Sequence, residues 1–218
     1  MYNPSLVTLN LKGPLRLIIA AFYQEDSAID IFLESFNNSL RHKETILDHQ
    51  KFVRINGIIN FFRELRSKYD NYNSIMIITH GKVGNGAPTY EETKTEKHPI
   101  DNWLENWDFI CSVLHDAAVD CLGFLAICNA GQTEVVDLLT RGQSQFLHMV
   151  TAASGKPLPA VNGAKAMALF IDHLADMNKD EYTPEDLAEA AQKTNESYPD
   201  VIKLWLYGDT IDFKAEYE

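Results

Sequence analysis

The chain has no long hydrophobic run, little cysteine and a shortage of positive charge, and each shortage removes a class of function. No window approaches the ~18 consecutive apolar residues that a membrane span needs. The longest apolar run near the start, Leu17 to Tyr23, is too short for the core of a secretory signal and runs into Gln-Glu-Asp. The expectation is a soluble, cytoplasmic protein with no membrane partner. Lysine and arginine number 19 against 31 aspartates and glutamates, a formal net charge of -12. A general nucleic-acid binder needs a basic face to neutralise phosphates, so nucleic acid is not expected as a partner. The three cysteines, Cys111, Cys121 and Cys128, are odd in number, widely spaced and without a Cys-x-x-Cys pair. That pattern fits neither a disulfide framework nor a zinc site. In a reducing compartment all three are free thiols.

What is present fits one α/β domain over residues 1–218. The length of 218 residues suffices for a sheet covered by helices on both faces and is short for two full domains. No internal repeat or low-complexity linker divides it. Four short apolar runs, LRLIIAAFY (15–23), SIMIIT (74–79), CLGFLAI (121–127) and FLHMVTAA (146–153), read as strands buried on both faces. Amphipathic stretches alternate with them. Ile29, Ile31, Phe32, Leu33 and Phe36 mark the first helix, capped by Asp26 or Ser27. Ile58, Ile59, Phe61, Phe62 and Leu65 mark the second, and Asp101 to Ala118 reads as the third. A helix starts near Thr133, and Ala164, Met167, Ala168, Ile171, Leu174 and Ala175 give another stripe. Thr183-Pro184-Glu185 reads as a cap with proline at the first helical position, and Val201 to Tyr207 as a terminal strand. Residues 41–54 carry no clear pattern beyond Val53 and Ile55 in a short strand. Buried strands alternating with helices predict a mainly parallel sheet, whose site lies beyond the carboxyl ends of the strands.

Two of those strand ends carry reactive residues. The second strand delivers His80-Gly81 and the third delivers Cys128. If these strands are neighbours, the two residues meet at one rim. A thiolate is the nucleophile that an ordinary cysteine supplies poorly at neutral pH, and the helix starting near Thr133 would favour it through its N-terminus. His80 can polarise the thiol and hand a proton to a leaving amine. The backbone N–H groups of Gly81 and Cys128 are the candidate oxyanion hole.

These blocks resemble the caspase-like superfamily of cysteine peptidases: a hydrophobic strand ending in His-Gly (IITHG), then one ending in cysteine with a glycine soon after (FLAICNAG). His80 and Cys128 are 48 residues apart, against ~50 in caspases. The cysteine block is closer to CHAT-type bacterial peptidases than to the caspase Gln-Ala-Cys-x-Gly, and the later VTAASG and AKAMALFIDHL also resemble CHAT domains. The likeness spans roughly residues 15 to 178. It implies a caspase-like sandwich, a Cys128/His80 dyad acting through an acyl-enzyme, no cofactor, no metal and a protein substrate. An activating or recruiting protein partner and a role in regulated proteolysis, such as bacterial defence or cell death, follow by the same analogy. Glu25, Asp26 and Ser154 are the substrate-binding candidates. A carboxylate in the first subsite would hold a basic side chain, although the more ordinary reading of Glu25 and Asp26 is helix capping and dipole stabilisation. No arginine set suggests an aspartate-directed caspase: Arg16 opens the first strand at the opposite rim, and Arg141 follows a helix.

Other residues read as structural. Cys111 and Cys121 are expected to be small buried hydrophobes, and His148 sits inside an apolar strand. His98 lies in the polar loop 82–99, whose turn signals are Gly84, Gly86 and Pro88. His42, His49, His115 and His173 have no companions that suggest ligation or catalysis. Gly84-Asn85-Gly86 lacks the Gly-Lys-Ser/Thr ending of a phosphate loop. Two alternatives stand beside the peptidase: a catalytically inactive caspase-like binding module, and a flavodoxin-like ligand domain in which the paired strand ends are coincidence.

Overall fold

The computed structural model describes residues 11–22, 27–52, 55–81, 88–89, 114, 116–127, 146–152, 160–206 and 209–211. Ten strands, four complete α-helices and the short 3-10 helix Lys43–Thr45 lie among them. In chain order the strands and α-helices are β1 (Leu11–Lys12), β2 (Leu17–Phe22), α1 (Ser27–Ser39), β3 (Ile46–Phe52), α2 (Ile55–Lys68), β4 (Ser74–Gly81), β5 (Pro88–Thr89) and β6 (Cys121–Ile127). Then come β7 (Phe146–Ala152), α3 (Ala160–Met177), β8 (Glu181–Tyr182), α4 (Pro184–Ser197), β9 (Ile202–Leu206) and β10 (Asp209–Ile211). The central sheet runs β10-β9-β7-β6-β4-β2-β3, with β5 added to β4. The pairings β3–β2, β2–β4, β4–β6 and β6–β7 are parallel, and β7–β9 and β9–β10 are antiparallel.

The apolar runs form central strands because both of their faces are covered. Leu17, Ile19 and Ala21 of β2 join Met76, Ile78, Phe124 and Ala126 in a core closed by α1, α3 and α4. Ile18 and Ala20 join Ile75, Ile77 and Leu125 in a second core closed by α2 and by Leu114, Ala117 and Ala118. The result is an α/β sandwich of three layers. None of the described helices is long and apolar enough to cross a membrane.

The structure corrects the sequence reading in several places. Ile55 begins α2, and the strand of that region is Ile46–Phe52; Val53 lies outside the described residues. Ile31, assigned to the apolar side of α1, is 41% exposed, whereas Ile29, Phe32, Leu33 and Phe36 are buried. The second strand continues past Thr79 through His80-Gly81, because β5 gives it a partner there. Of the helix expected over Asp101 to Ala118, only the end falls among the described residues.

The terminal strand is present, but it runs antiparallel to β7. Two successive helices, α3 and α4, return the chain to the rim where β7 ended, so Ile202 at the start of β9 pairs with Ala152 at the end of β7. The chain then turns into β10. At the opposite rim, β1 pairs with β8. The Gly13 N–H there donates to the Asp180 carbonyl at 2.9 Å, and a Cβ at Gly13 would come within 1.9 Å of the Lys179 carbonyl oxygen.

The cap at Thr183 forms as its sequence predicts. The Thr183 hydroxyl accepts from the Asp186 N–H at 3.3 Å, and the Thr183 N–H donates back to Asp186 Oδ2 at 2.9 Å. Pro184 opens the helix behind them. A Thr183→Ala chain is expected to lose about 1 kcal/mol. In a domain of this size that is a fall of roughly 2–4 °C in a thermal melt.

Candidate active site

The site rim is built by β4, which lies between β2 and β6. Thr79 of β4 pairs with Ile127 of β6, the last step of a regular parallel ladder. The strands are therefore neighbours, with a spacing of about 4.8 Å between them. His80 directly follows Thr79, and Cys128 directly follows Ile127. His80 and Gly81 are described as part of β4. Cys128, Glu25, Asp26 and Ser154 lie outside the described residues, as does the helix expected near Thr133.

The backbone direction at His80 and Gly81 follows from the ladder. The Asn73 carbonyl accepts from Leu122 N–H at 2.9 Å, on the β6 side, and Ser74 N–H donates to the Arg16 carbonyl at 3.3 Å, on the β2 side. Successive residues of a strand alternate the side to which their N–H and C=O groups point. No register shift interrupts β4, so position 80 points its backbone groups to the β2 side and position 81 to the β6 side. The hairpin agrees with this. Its register pairs are His80–Thr89 and Gly81–Pro88. Proline has no N–H to give, so Gly81 and Pro88 cannot be the pair that exchanges both hydrogen bonds; His80 and Thr89 are. The Gly81 N–H is thus turned away from β5 and toward β6.

This arrangement also decides what lies over β2. The β2–β4 ladder ends at Ala21–Ile78, and β5 takes the same edge of β4 from His80 onward. The five parallel strands have the order of a doubly wound sheet whose ligand crevice opens between the ends of β2 and β4. Here a strand of the protein itself is paired along β4 at that crevice.

Of the other thiols, Cys111 lies outside the described residues. Cys121 is buried, and its thiol points to the Ala117 carbonyl at 3.7 Å. Burial pushes its pKa up to about 12, with only a small opposing effect from Arg66. It is a packing residue, as its place at the start of β6 suggested. His49, on β3, and His173, on α3, are held below the usual histidine range, first by burial and then by Lys51 and Lys193 respectively.

One cluster has no counterpart in the sequence reading. Asp172, 2% exposed on α3, accepts from the backbone N–H groups of Arg41 (3.0 Å) and His42 (3.1 Å). His42 lies 2.9 Å from Glu44, its near neighbour in sequence, and 2.8 Å from Asp176. Asp172 and Asp176 are 130 or more residues from the turn they meet, so no local spacing announces those contacts. The usable signal was a lone aspartate inside the apolar stripe AMALFIDHL, since a buried carboxylate demands donors. The cluster sits on the rim opposite His80.

No family model matches this chain, and no curated protein matches it.

Proposed function

We propose that the chain is a cysteine endopeptidase of the caspase-like kind, with Cys128 as nucleophile and His80 as its proton-transfer partner. The carrying observation is the register of β4 and β6, whose last pair, Thr79 and Ile127, immediately precedes His80 and Cys128 in the sequence. Counting in twos from Met76 and Ile78 reaches 80, and from Phe124 and Ala126 reaches 128. Both sets belong to the same core, so regular alternation would bring the two residues to one face.

In this reading Cys128 attacks a peptide carbonyl, and His80 takes up the thiol proton and gives it to the leaving amine. Water then releases the acyl group. The Gly81 N–H, directed to the β6 side, supports its role as an oxyanion donor together with the Cys128 N–H. Glu25, Asp26 and Ser154 remain the substrate-binding candidates. The substrate is a protein, with an activating or recruiting partner supplied separately. A flavodoxin-like ligand site is disfavoured because β5 is paired along β4 at the crevice such a ligand would use.

The test is labelling by peptidyl acyloxymethyl ketones varied at the first position, read by intact mass, with Cys128→Ala as control. One adduct is expected, at Cys128, with a preference for one side chain. Cys121 should stay unlabelled, its thiol being buried and protonated at neutral pH. An unreactive Cys128 would turn the reading to the inactive binding module.

A further inference from the structure

We infer that His42 is a pH-sensitive latch that fastens the turn before edge strand β3 onto α3. The turn joins α1 to β3, which among the described residues is paired on one side only, by β2. Two sets of contacts hold it down. Asp172 accepts the Arg41 and His42 backbone N–H groups and the Arg41 guanidinium, whose Nε lies 3.3 Å away. The second set runs through the His42 ring, whose Nε2 lies 2.8 Å from Asp176 Oδ1 on α3, while Nδ1, 2.9 Å from Glu44 Oε1, ties the ring to the turn itself.

Ionised carboxylates only accept hydrogen bonds, and a neutral imidazole carries a single N–H. Both contacts can be made together only by the imidazolium. On losing its proton the ring turns a lone pair toward one carboxylate, and one side of the latch becomes repulsive. The ring is 29% exposed, so protons reach it from solvent.

The charged groups around it are Arg41 and Glu44 from the turn, Asp172, His173 and Asp176 from α3, and Lys193 of α4 near His173. Arg41 shares Asp176 with the ring, its guanidinium 2.5 Å from Oδ2, and opposes the second cation. The carboxylates prevail: the hydrogen bonds from Asp176 and then Glu44 hold His42 above the usual histidine range. Asp176 is held below the usual carboxylate range by Arg41 and then His42. Glu44 is also lowered, by its own backbone N–H and then His42.

The sign follows from these directions. The histidine contribution is complete below an ordinary value of about 6.5 and is lost as pH rises through the raised value. The carboxylate contributions are present above ordinary carboxylate values and are lost as pH falls through the depressed ones. The latch is closed between those limits and opens on the alkaline side.

The experiment is an NMR titration of the His42 ring, with amide exchange of Arg41 and His42 corrected for intrinsic rates. The expected midpoint lies above about 6.5, and protection of both amides falls several-fold as pH passes through it. His42→Gln should abolish that fall while the Asp172 contacts persist. A midpoint at or below the ordinary value, an unchanged protection, or the same fall in His42→Gln would overturn the inference. Asp176→Asn gives an independent check: the midpoint must drop, and an unmoved midpoint would count equally against it.

Discussion

On the proposed reading, a His80→Ala chain is expected to turn over the peptide sequence preferred in labelling about 10²–10⁴-fold more slowly than the unaltered chain, the range typical of losing a positioned acid–base group. The loss should fall mainly on kcat, because the role proposed for the imidazole is proton transfer rather than substrate recognition. Alkylation of Cys128 by iodoacetamide gives a second reading without any peptide. At neutral pH the alanine chain should react slowly, since an unassisted thiol is mostly protonated. The deficit should close as pH passes an ordinary thiol value of about 8.5, where ionisation needs no help. Turnover undiminished in His80→Ala would remove histidine from the chemistry. An alkylation deficit that persists at high pH would point to altered access instead.

The largest stability change is expected at Phe124. It lies in the middle of β6, fully buried, with its ring in edge contact with Phe170 of α3 at a centroid distance of 5.9 Å. Phe124→Ala would remove that contact and leave a cavity between sheet and helix, at a cost of about 3–5 kcal/mol. In chemical denaturation the midpoint should fall with little change in slope. Phe124→Leu should lose appreciably less, because most of the volume stays filled. A fall in Phe124→Ala of under about 1 kcal/mol would mean that the layers close over the gap more freely than a packed interior does. Since Phe124 lies on the strand that leads to Cys128, four residues on in the sequence, the proposed reading also expects lower turnover in the alanine chain before it unfolds.

The parts of the fold legible in sequence are those with a sustained apolar pattern. β2, β4, β6 and β7 are continuous apolar runs, and α1, α2, α3 and α4 show stripes or caps. β3 escaped because an edge strand has no such run. Its residues ILDHQKF alternate between the two faces, and none is fully buried. Asp48 meets Tyr69 and Lys68 of the α2 end, and Lys51 meets Asp30 of α1. Those charges suit an edge that must not recruit another strand. The two-residue strands β1, β5 and β8 are too short for any periodicity and exist only through their partners. The antiparallel run of β9 was implicit in two successive helices, but strand direction leaves no mark on an apolar pattern. At the site, sequence alone located the two strand ends. That β4 and β6 are adjacent, and that Gly81 turns its N–H toward β6, needed the register and the proline of β5. A lone aspartate in an apolar stripe marks Asp172 in the sequence, but its partners Arg41 and His42 needed the fold.

The pairing of β1 with β8 has a consequence for synthesis. Nearly the whole described chain separates these strands, and the apolar face of α1, with Phe32, Leu33 and Phe36, is covered largely by α3, also made late. At translation speeds of about 5–20 residues per second, roughly 7–27 s separate the synthesis of the first helix from that of its cover. Over that interval the face of α1 that α3 will cover stays open, and the β1–β8 pairing closes only when the last third of the chain has emerged.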